Sequence, residues 1–492
     1  MHGGESGPWR GALAVVLLAV AQILVVFDTA VFAVGLPLIQ AHRHLSFSGL
    51  TWLLSVYSVC FAALPVLAGA LGRAFGHRRV LMGGFALSSL AAAAPALSLS
   101  ASVLLASRAV QGVAAAVITA GALALIDATH PAGRDRDRAL NVHFAVVACA
   151  TPAVLLPCTM LLDSVRTEDT VFWVQAVAGG VLLLLTPVAL AETAPVPGAR
   201  TRVAGAALAV VPLGFLAWFA DRLGDKSVSV TTVMAIAVGA ALVPSVLGWL
   251  GRGERVPALL ARLYRERSAF GAYTVVALLA AGLAGAVLVL TIALQLLGGL
   301  SPMQVGWALL SAVAGVVLGC LVLPVLAARV GLAGTVAGAC VVAAAGFVLL
   351  SLPGASYRFA DVLLPLLLIA FGCGVLALPA GFARSGSGAL PQELNSSRQF
   401  GAGLGASLFV GVIAVAQQRT TGTSLPVLKA YKAIMAGGIR DCFALGTALC
   451  LTAALVALVA LPRHGGRTTG PEPDLSGGAP AGTAGSPGSS AR

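Results

Sequence analysis

The chain has 492 residues, of which 59% are hydrophobic and only 10% charged. Soluble domains carry about 25% charged residues, so this composition excludes a soluble globular protein and marks an integral membrane protein. The formal net charge is +12, but the basic residues fall in short segments between apolar runs. That pattern fits an anionic membrane leaflet rather than nucleic acid, which is excluded as a partner.

The predicted elements are transmembrane helices. A helix needs about 20 apolar residues to cross the hydrocarbon core. Fourteen stretches qualify: 11–39, 50–71, 80–99, 103–126, 139–162, 171–190, 203–220, 228–250, 269–297, 305–327, 332–352, 362–383, 397–416 and 442–461. Their apolar residues run continuously instead of alternating, which excludes a β-barrel. The first run is too long for a cleaved signal peptide and opens a series of similar runs. With residues 1–10 assigned to the cytoplasm, twenty basic residues fall on the inner side and nine on the outer, with Arg108 inside the membrane. The positive-inside rule then places both termini in the cytoplasm.

The first span carries the first unusual residue. Its sequence FDTAVFAVGLP holds Asp28 in an apolar run. A charge at the bilayer centre costs at least ~2.5–3.5 kcal/mol, so such a residue faces a partner or a cavity. Arg108, in the fourth span within LLASRAVQGVAAA, lies at a similar depth when both are counted from the outer ends at about 1.5 Å per residue. The two either form an ion pair or share a water-filled cavity. Desolvation favours the protonated acid and Arg108 favours the carboxylate, so Asp28 is suited to load and release a proton; the bland alternative is a static pair that orients two helices. Gln111, one turn from Arg108, either lines a cavity or satisfies a neighbouring helix. Phe27 and Phe32 flank Asp28 and are placed to touch an aromatic substrate, though packing is their commoner role. Gln22 reads as a helix-contact residue. His143 and Arg398 read as interfacial, with Arg398 snorkelling to the cytoplasmic surface. Asp127 and Asp361 read as solvated.

Between spans two and three stands GALGRAFGHRRVL, with Gly69, Gly76, Arg78 and Arg79. The fifth span contains ACATPAVLLP, with Pro152. Residues 203–250 hold two spans, and 251–268, GRGERVPALLARLYRERS, form either a basic amphipathic segment on the inner leaflet or a solvated loop. LQLLGGLSPMQVG ends the ninth span with Gln295, a candidate cavity residue, and opens the tenth. SSRQFGAGLGASL opens the thirteenth with Gly401, Gly403 and Gly405. A weak repeat aligns LGRAFGHRRVLMGG with LAARVGLAGTVAGA, setting Gly76 against Gly331. Residues 463–492, rich in Gly, Pro, Ser and Thr, are expected to be a disordered cytoplasmic tail. The eight cysteines form no CxxC and read as small apolar residues. No phosphate-binding loop, metal-ligand cluster or nucleophile–base set is visible, so ATP hydrolysis by this chain is not expected.

In this order the segments resemble the fourteen-spanner drug:proton antiporters of the major facilitator superfamily, over roughly residues 11–462. Span one is similar to LDxTIVNVALP, sharing Asp28, Leu36 and Pro37 with Ala33 in place of Asn. Residues 69–81 are similar to GxLaDrxGrrxxl, with Arg73 where the family has Asp. Residues 104–116 match lxxxRxxQGxgaA. Of the antiporter motif GxxxGPxxGG only Pro152 is retained, with Thr151 and Leu155–Leu156 in the glycine positions. Residues 294–306 and 396–408 are similar to yLQxvxGxSPlxAG and rqlGgalGvA.

The resemblance implies an all-α membrane protein of the major facilitator fold. Its 14 transmembrane helices would form two six-helix halves, 11–190 and 269–461, with residues 203–250 as an inserted helix pair. It implies a secondary active transporter rather than an enzyme, driven by the proton motive force with no cofactor. The expected activity is export of an amphipathic drug or antibiotic natural product across a bacterial cytoplasmic membrane by alternating access. Its partners would be protons, a small-molecule substrate and membrane lipid, and it would function as a monomer. Asp28 and Arg108 would couple protons, and Gly69, Gly76, Arg78, Arg79 and Pro152 would serve conformational gating. The altered fifth-span motif leaves a metabolite importer or uniporter as an alternative, and a non-transporting membrane sensor is a third reading.

Overall fold

The computed structural model of the chain describes residues 8–43, scattered positions between 45 and 64, and residues 65–129, 134–165, 169–195, 267–352, 357–377, 391–418 and 427–461. The expected inserted helix pair at 203–250, the basic segment 251–268 and the tail 463–492 lie outside the described residues, apart from the start of a helix at Arg267. Among the described residues there are twelve α-helices and no strand. They are α1 (Pro8–Arg43), α2 (Pro65–Phe75), α3 (His77–Leu97), α4 (Ala101–Thr129), α5 (Arg134–Val165), α6 (Asp169–Ala189), α7 (Arg267–Leu296), α8 (Pro302–Val330), α9 (Leu332–Ser351), α10 (Phe359–Cys373), α11 (Pro391–Gln418) and α12 (Val427–Ala460). Seven helices among the described residues are long and apolar enough to cross a membrane.

The helices pack in one pattern used twice. In the first set α1 lies against α4, α5 and α6, α2 against α4, and α3 against α4 and α6. In the second set α7 lies against α10, α11 and α12, α8 against α10, and α9 against α10 and α12. Between the sets, α5 packs on α8, and Gly403 of α11 meets Ser58.

Local chemistry explains the joints. Gly76 ends α2 and starts α3 with φ +96°; Gly331 ends α8 and starts α9 with φ +91°. Each donates its N–H to the carbonyl four residues back, on Gly72 and Ala327. A positive φ of this kind is open to glycine and strained for other residues. The glycines aligned in sequence therefore occupy matching hinges in the two sets. The SPMQ segment is a helix start: Ser301 Oγ accepts from the Gln304 N–H at 3.3 Å, and the Gln304 side chain accepts from the Ser301 N–H at 3.0 Å. With Pro302 in the first turn, this is a capping box that satisfies otherwise unpaired donors.

The outer faces carry apolar stripes suited to lipid. On α6, Val177, Val181, Leu184 and Val188 are exposed at helical spacing, which in water would be an exposed apolar patch. By contrast, α4 buries almost every residue from Gln111 to Leu123. On α11, Gly401 and Gly405 lie so close to the carbonyls of Ala277 and Ala281 on α7 that a Cβ at either has no room. Small residues of this kind let membrane helices approach closely. At the end of α1, the buried Arg43 donates to Asp169 Oδ1 at 3.1 Å and to the Pro95 carbonyl at 2.9 Å, tying α1, α3 and α6 together.

Candidate functional site

Three helical segments present polar side chains to one another inside the first set. On α1, Asp28 and Phe32 stand four residues apart and share a face; on α4, Arg108 and Gln111 do so three residues apart. The segment around 52–61 adds the Leu53 carbonyl and the ring of Tyr57. Arg108 Nη1 donates to Asp28 Oδ2 at 2.9 Å and to Gln111 Oε1 at 3.0 Å, and its Nε donates to the Leu53 carbonyl at 3.5 Å. Its guanidinium carbon lies 3.8 Å from the centroid of the Phe32 ring and 3.9 Å from that of Tyr57. A planar cation held between two aromatic faces gains cation–π attraction at each. Gln111 Nε2 donates in turn to Gln175 Oε1 on α6 at 3.5 Å.

The arrangement is buried. Asp28 is 3% exposed and Arg108 and Gln111 are 1% exposed. Of the two alternatives open in the sequence, the structure holds the ion pair. Asp28 Oδ1 is buried and makes no hydrogen bond among the described residues. Removing one member of such a buried pair leaves an uncompensated charge, which costs several kcal/mol. Gln22, one and a half turns before Asp28, accepts from Thr119 Oγ1 at 3.4 Å and acts as a helix contact.

The remaining candidate residues are distributed around this centre. Phe32 is fully buried against Arg108 and Phe172, while Phe27 is half-buried against the core. Gln295 sits at the end of α7, outside the Asp28 cluster, with Nε2 buried and unpartnered. Gly69 is buried in α2 and Pro152 lies in α5. Arg78 and Arg79 converge on Glu192 Oε2 at 3.2 and 3.3 Å. Arg78 also donates to the Leu190 carbonyl at 3.0 Å, and the His77 N–H donates to Thr193 Oγ1 at 2.8 Å. The end of α6 is thus fastened to the α2–α3 joint. Asp127 is exposed and pairs with Arg136 at 2.7 Å, and Asp361 is exposed.

One expectation is corrected. His143 is 6% exposed rather than interfacial. Arg398 is half-buried, with its Nε buried and its Nη2 donating to Asn395 Oδ1 at 3.0 Å. Sequence reasoning also missed Tyr57, Gln175 and Glu192. Tyr57 and Gln175 carried a weak signal, since a polar tip in an apolar span needs a partner. Glu192 carried none, because its partners are more than a hundred residues away.

The Major Facilitator Superfamily matches this chain over residues 18–416. The chain belongs to that superfamily. Among its relatives, the cephamycin export protein of Amycolatopsis lactamdurans is 29% identical over 81% of this chain and 84% of its own length. The methylenomycin A resistance protein of Bacillus subtilis is 28% identical over 83% of this chain and 89% of its own. The puromycin resistance protein of Streptomyces alboniger is 30% identical over 83% and 82%. The crystal structure of a human organic anion transporter covers 92% of this chain and 100% of its own with a TM-score of 0.61 at 17% identity, a likeness of fold. As a superfamily member the protein is a multi-pass membrane transporter and not an enzyme.

Proposed function

We propose that this transporter exports an amphipathic drug-like or antibiotic molecule in exchange for protons, with Asp28 as the proton-carrying group. The observation that carries the reading is the buried Asp28–Arg108 pair with one carboxylate oxygen left without a hydrogen bond. A proton on Asp28 cancels its charge and releases Arg108 Nη1 to its other partners, Gln111 and the rings of Phe32 and Tyr57. Loss of the proton restores the pair. These two states differ in charge and in hydrogen bonding, which lets protonation bias one conformation over another.

The two helix sets, meeting through α5–α8 and α11, supply the bodies that would rock about a central site. Export is favoured over import by the relatives, which are named for export of and resistance to antibiotics. The reading includes a bacterial cytoplasmic membrane, cytoplasmic termini and a monomeric unit. Gln111 and Gln295 remain proposed cavity residues, with Phe27 and Phe32 as aromatic neighbours. Gly69, Gly76, Arg78, Arg79 and Pro152 remain proposed gating residues.

The test is collapse of a respiration-driven proton gradient in inside-out vesicles on addition of drugs and natural products. Collapse that requires the protein and is absent with Asp28→Asn supports the reading. Gradient-independent movement, or uptake from the external face, contradicts it.

A further inference from the structure

Most of the cysteines behave as the small apolar residues expected of them. Cys158, Cys340, Cys373, Cys442 and Cys450 are buried. Cys373 Sγ donates to the Leu279 carbonyl at 3.8 Å, and Cys442 Sγ donates to the Phe409 carbonyl at 3.4 Å. Cys149 and Cys320 differ. Each is partly exposed, and their thiols hydrogen-bond to each other. Cys149 stands on α5 of the first helix set and Cys320 on α8 of the second. The pair therefore crosses the boundary between the sets, at their most extensive contact among the described elements.

Helix register places the two side chains together independently. On α5, Cys149 and Leu156 are seven residues apart; on α8, Gly306 and Cys320 are fourteen apart. Both spacings are close to whole turns at about 3.6 residues per turn, so each pair shares a stripe. A Cβ on Gly306 would collide with Thr159 Oγ1 and lie 3.0 Å from Leu156 Cδ1, so the two stripes face each other. The helices run antiparallel, and that brings Cys149 opposite Cys320.

A disulfide needs its sulfurs about 2.05 Å apart, a short closing movement from hydrogen-bonding contact. Resting on the alternating-access reading above, we propose that Cys149 and Cys320 are a reversible disulfide site, closed by a peroxide, that pins α5 to α8 and halts transport. One sulfur attacks the O–O bond of hydrogen peroxide, giving a sulfenic acid and one water. The second sulfur then attacks the first, the S–O bond breaks as the S–S bond forms, and a second water leaves. Each thiol proton departs in one of the waters; both sulfurs are oxidised and the peroxide is reduced. A dithiol reverses the link by exchange. The disulfide holds the two sets in one arrangement, whereas transport requires them to move against each other. The bland alternative is packing of two small polarisable side chains.

The experiment uses the full chain in proteoliposomes with an imposed pH gradient, acid inside, and two probes of opposite charge, rhodamine 123 and carboxyfluorescein. Reduced parent, Cys149→Ser and Cys320→Ser are treated with hydrogen peroxide and then with dithiothreitol, and melting temperatures confirm that each variant is folded. Peptide mass mapping of the alkylated protein reads the link, and probe uptake reads transport. The expected result is a disulfide-linked peptide joining Cys149 to Cys320, with uptake by the parent falling at least about tenfold because a conformational step is blocked. Dithiothreitol is expected to restore uptake to within about twofold, and both serine variants are expected to resist the peroxide. Absence of the linked peptide overturns the proposal. So does a linked protein whose uptake stays within about twofold of the reduced parent, and so does equal inhibition of the serine variants. If the reduced parent moves neither probe, the export reading fails by itself, while the linked peptide still decides for or against the disulfide.

Discussion

Arg108 and Asp28 meet at 2.9 Å, each all but withdrawn from solvent, although eighty residues separate them along the chain. Asp28→Asn keeps the shape and one acceptor oxygen but cannot take up a proton. The expected outcome is loss of proton-coupled transport with a folded protein, read as gradient collapse in vesicles alongside a melting curve. Unchanged coupling removes Asp28 from the role assigned to it.

Arg108→Lys is expected to fail almost as badly as Arg108→Gln. A lysine ammonium is a point charge and cannot lie flat between the Phe32 and Tyr57 rings while reaching Asp28, Gln111 and Leu53. We expect transport to fall at least about tenfold, and transport by Arg108→Lys near the parental rate would show that charge alone suffices.

Glu192→Gln tests the fastening of α6 to the α2–α3 joint. Glu192 and Arg78 are partly exposed and Arg79 is largely so, and exposed pairs contribute only ~0–1 kcal/mol. The melting temperature is therefore expected to move little while transport rate changes. A large loss of stability would mean that the pairing holds the fold rather than regulating its motion.

Gly76→Ala and Gly331→Ala are expected to behave alike. Each places a side chain at positive φ with extended ψ, a backbone region essentially reserved for glycine that costs a non-glycine residue about 1–3 kcal/mol. At Gly76 the new methyl also approaches Glu192 Oε1. Thermal unfolding of both variants checks this, with Gly76→Ala expected to lose more.

Gly401→Val drives a branched side chain into the Ala277 carbonyl of α7. Overpacking of this kind costs about 1–3 kcal/mol or more. Reduced yield and a lower melting temperature are expected, whereas Gly437→Ala, with open space at its Cβ, is expected to be neutral.

The sequence by itself determined the membrane class, most helix positions, the depth of Asp28 and Arg108, and the equivalence of Gly76 and Gly331. These follow from one-dimensional quantities: lengths of apolar runs, rise per residue, and residue types that permit a particular backbone. Tertiary structure alone decided that Asp28 and Arg108 form a pair instead of facing a cavity, since a shared depth leaves the rotation of each helix open. It brought Tyr57 and Gln175 into the same cluster and gave Arg78 and Arg79 their carboxylate at Glu192. It also separated two arginines that look alike in sequence. Arg108 and Arg398 both sit in or beside apolar spans, but Arg108 meets Asp28, whereas among the described residues Arg398 meets Asn395. Ion pairing depends on which helix faces cross, and those crossings are set by contacts between residues far apart in the chain.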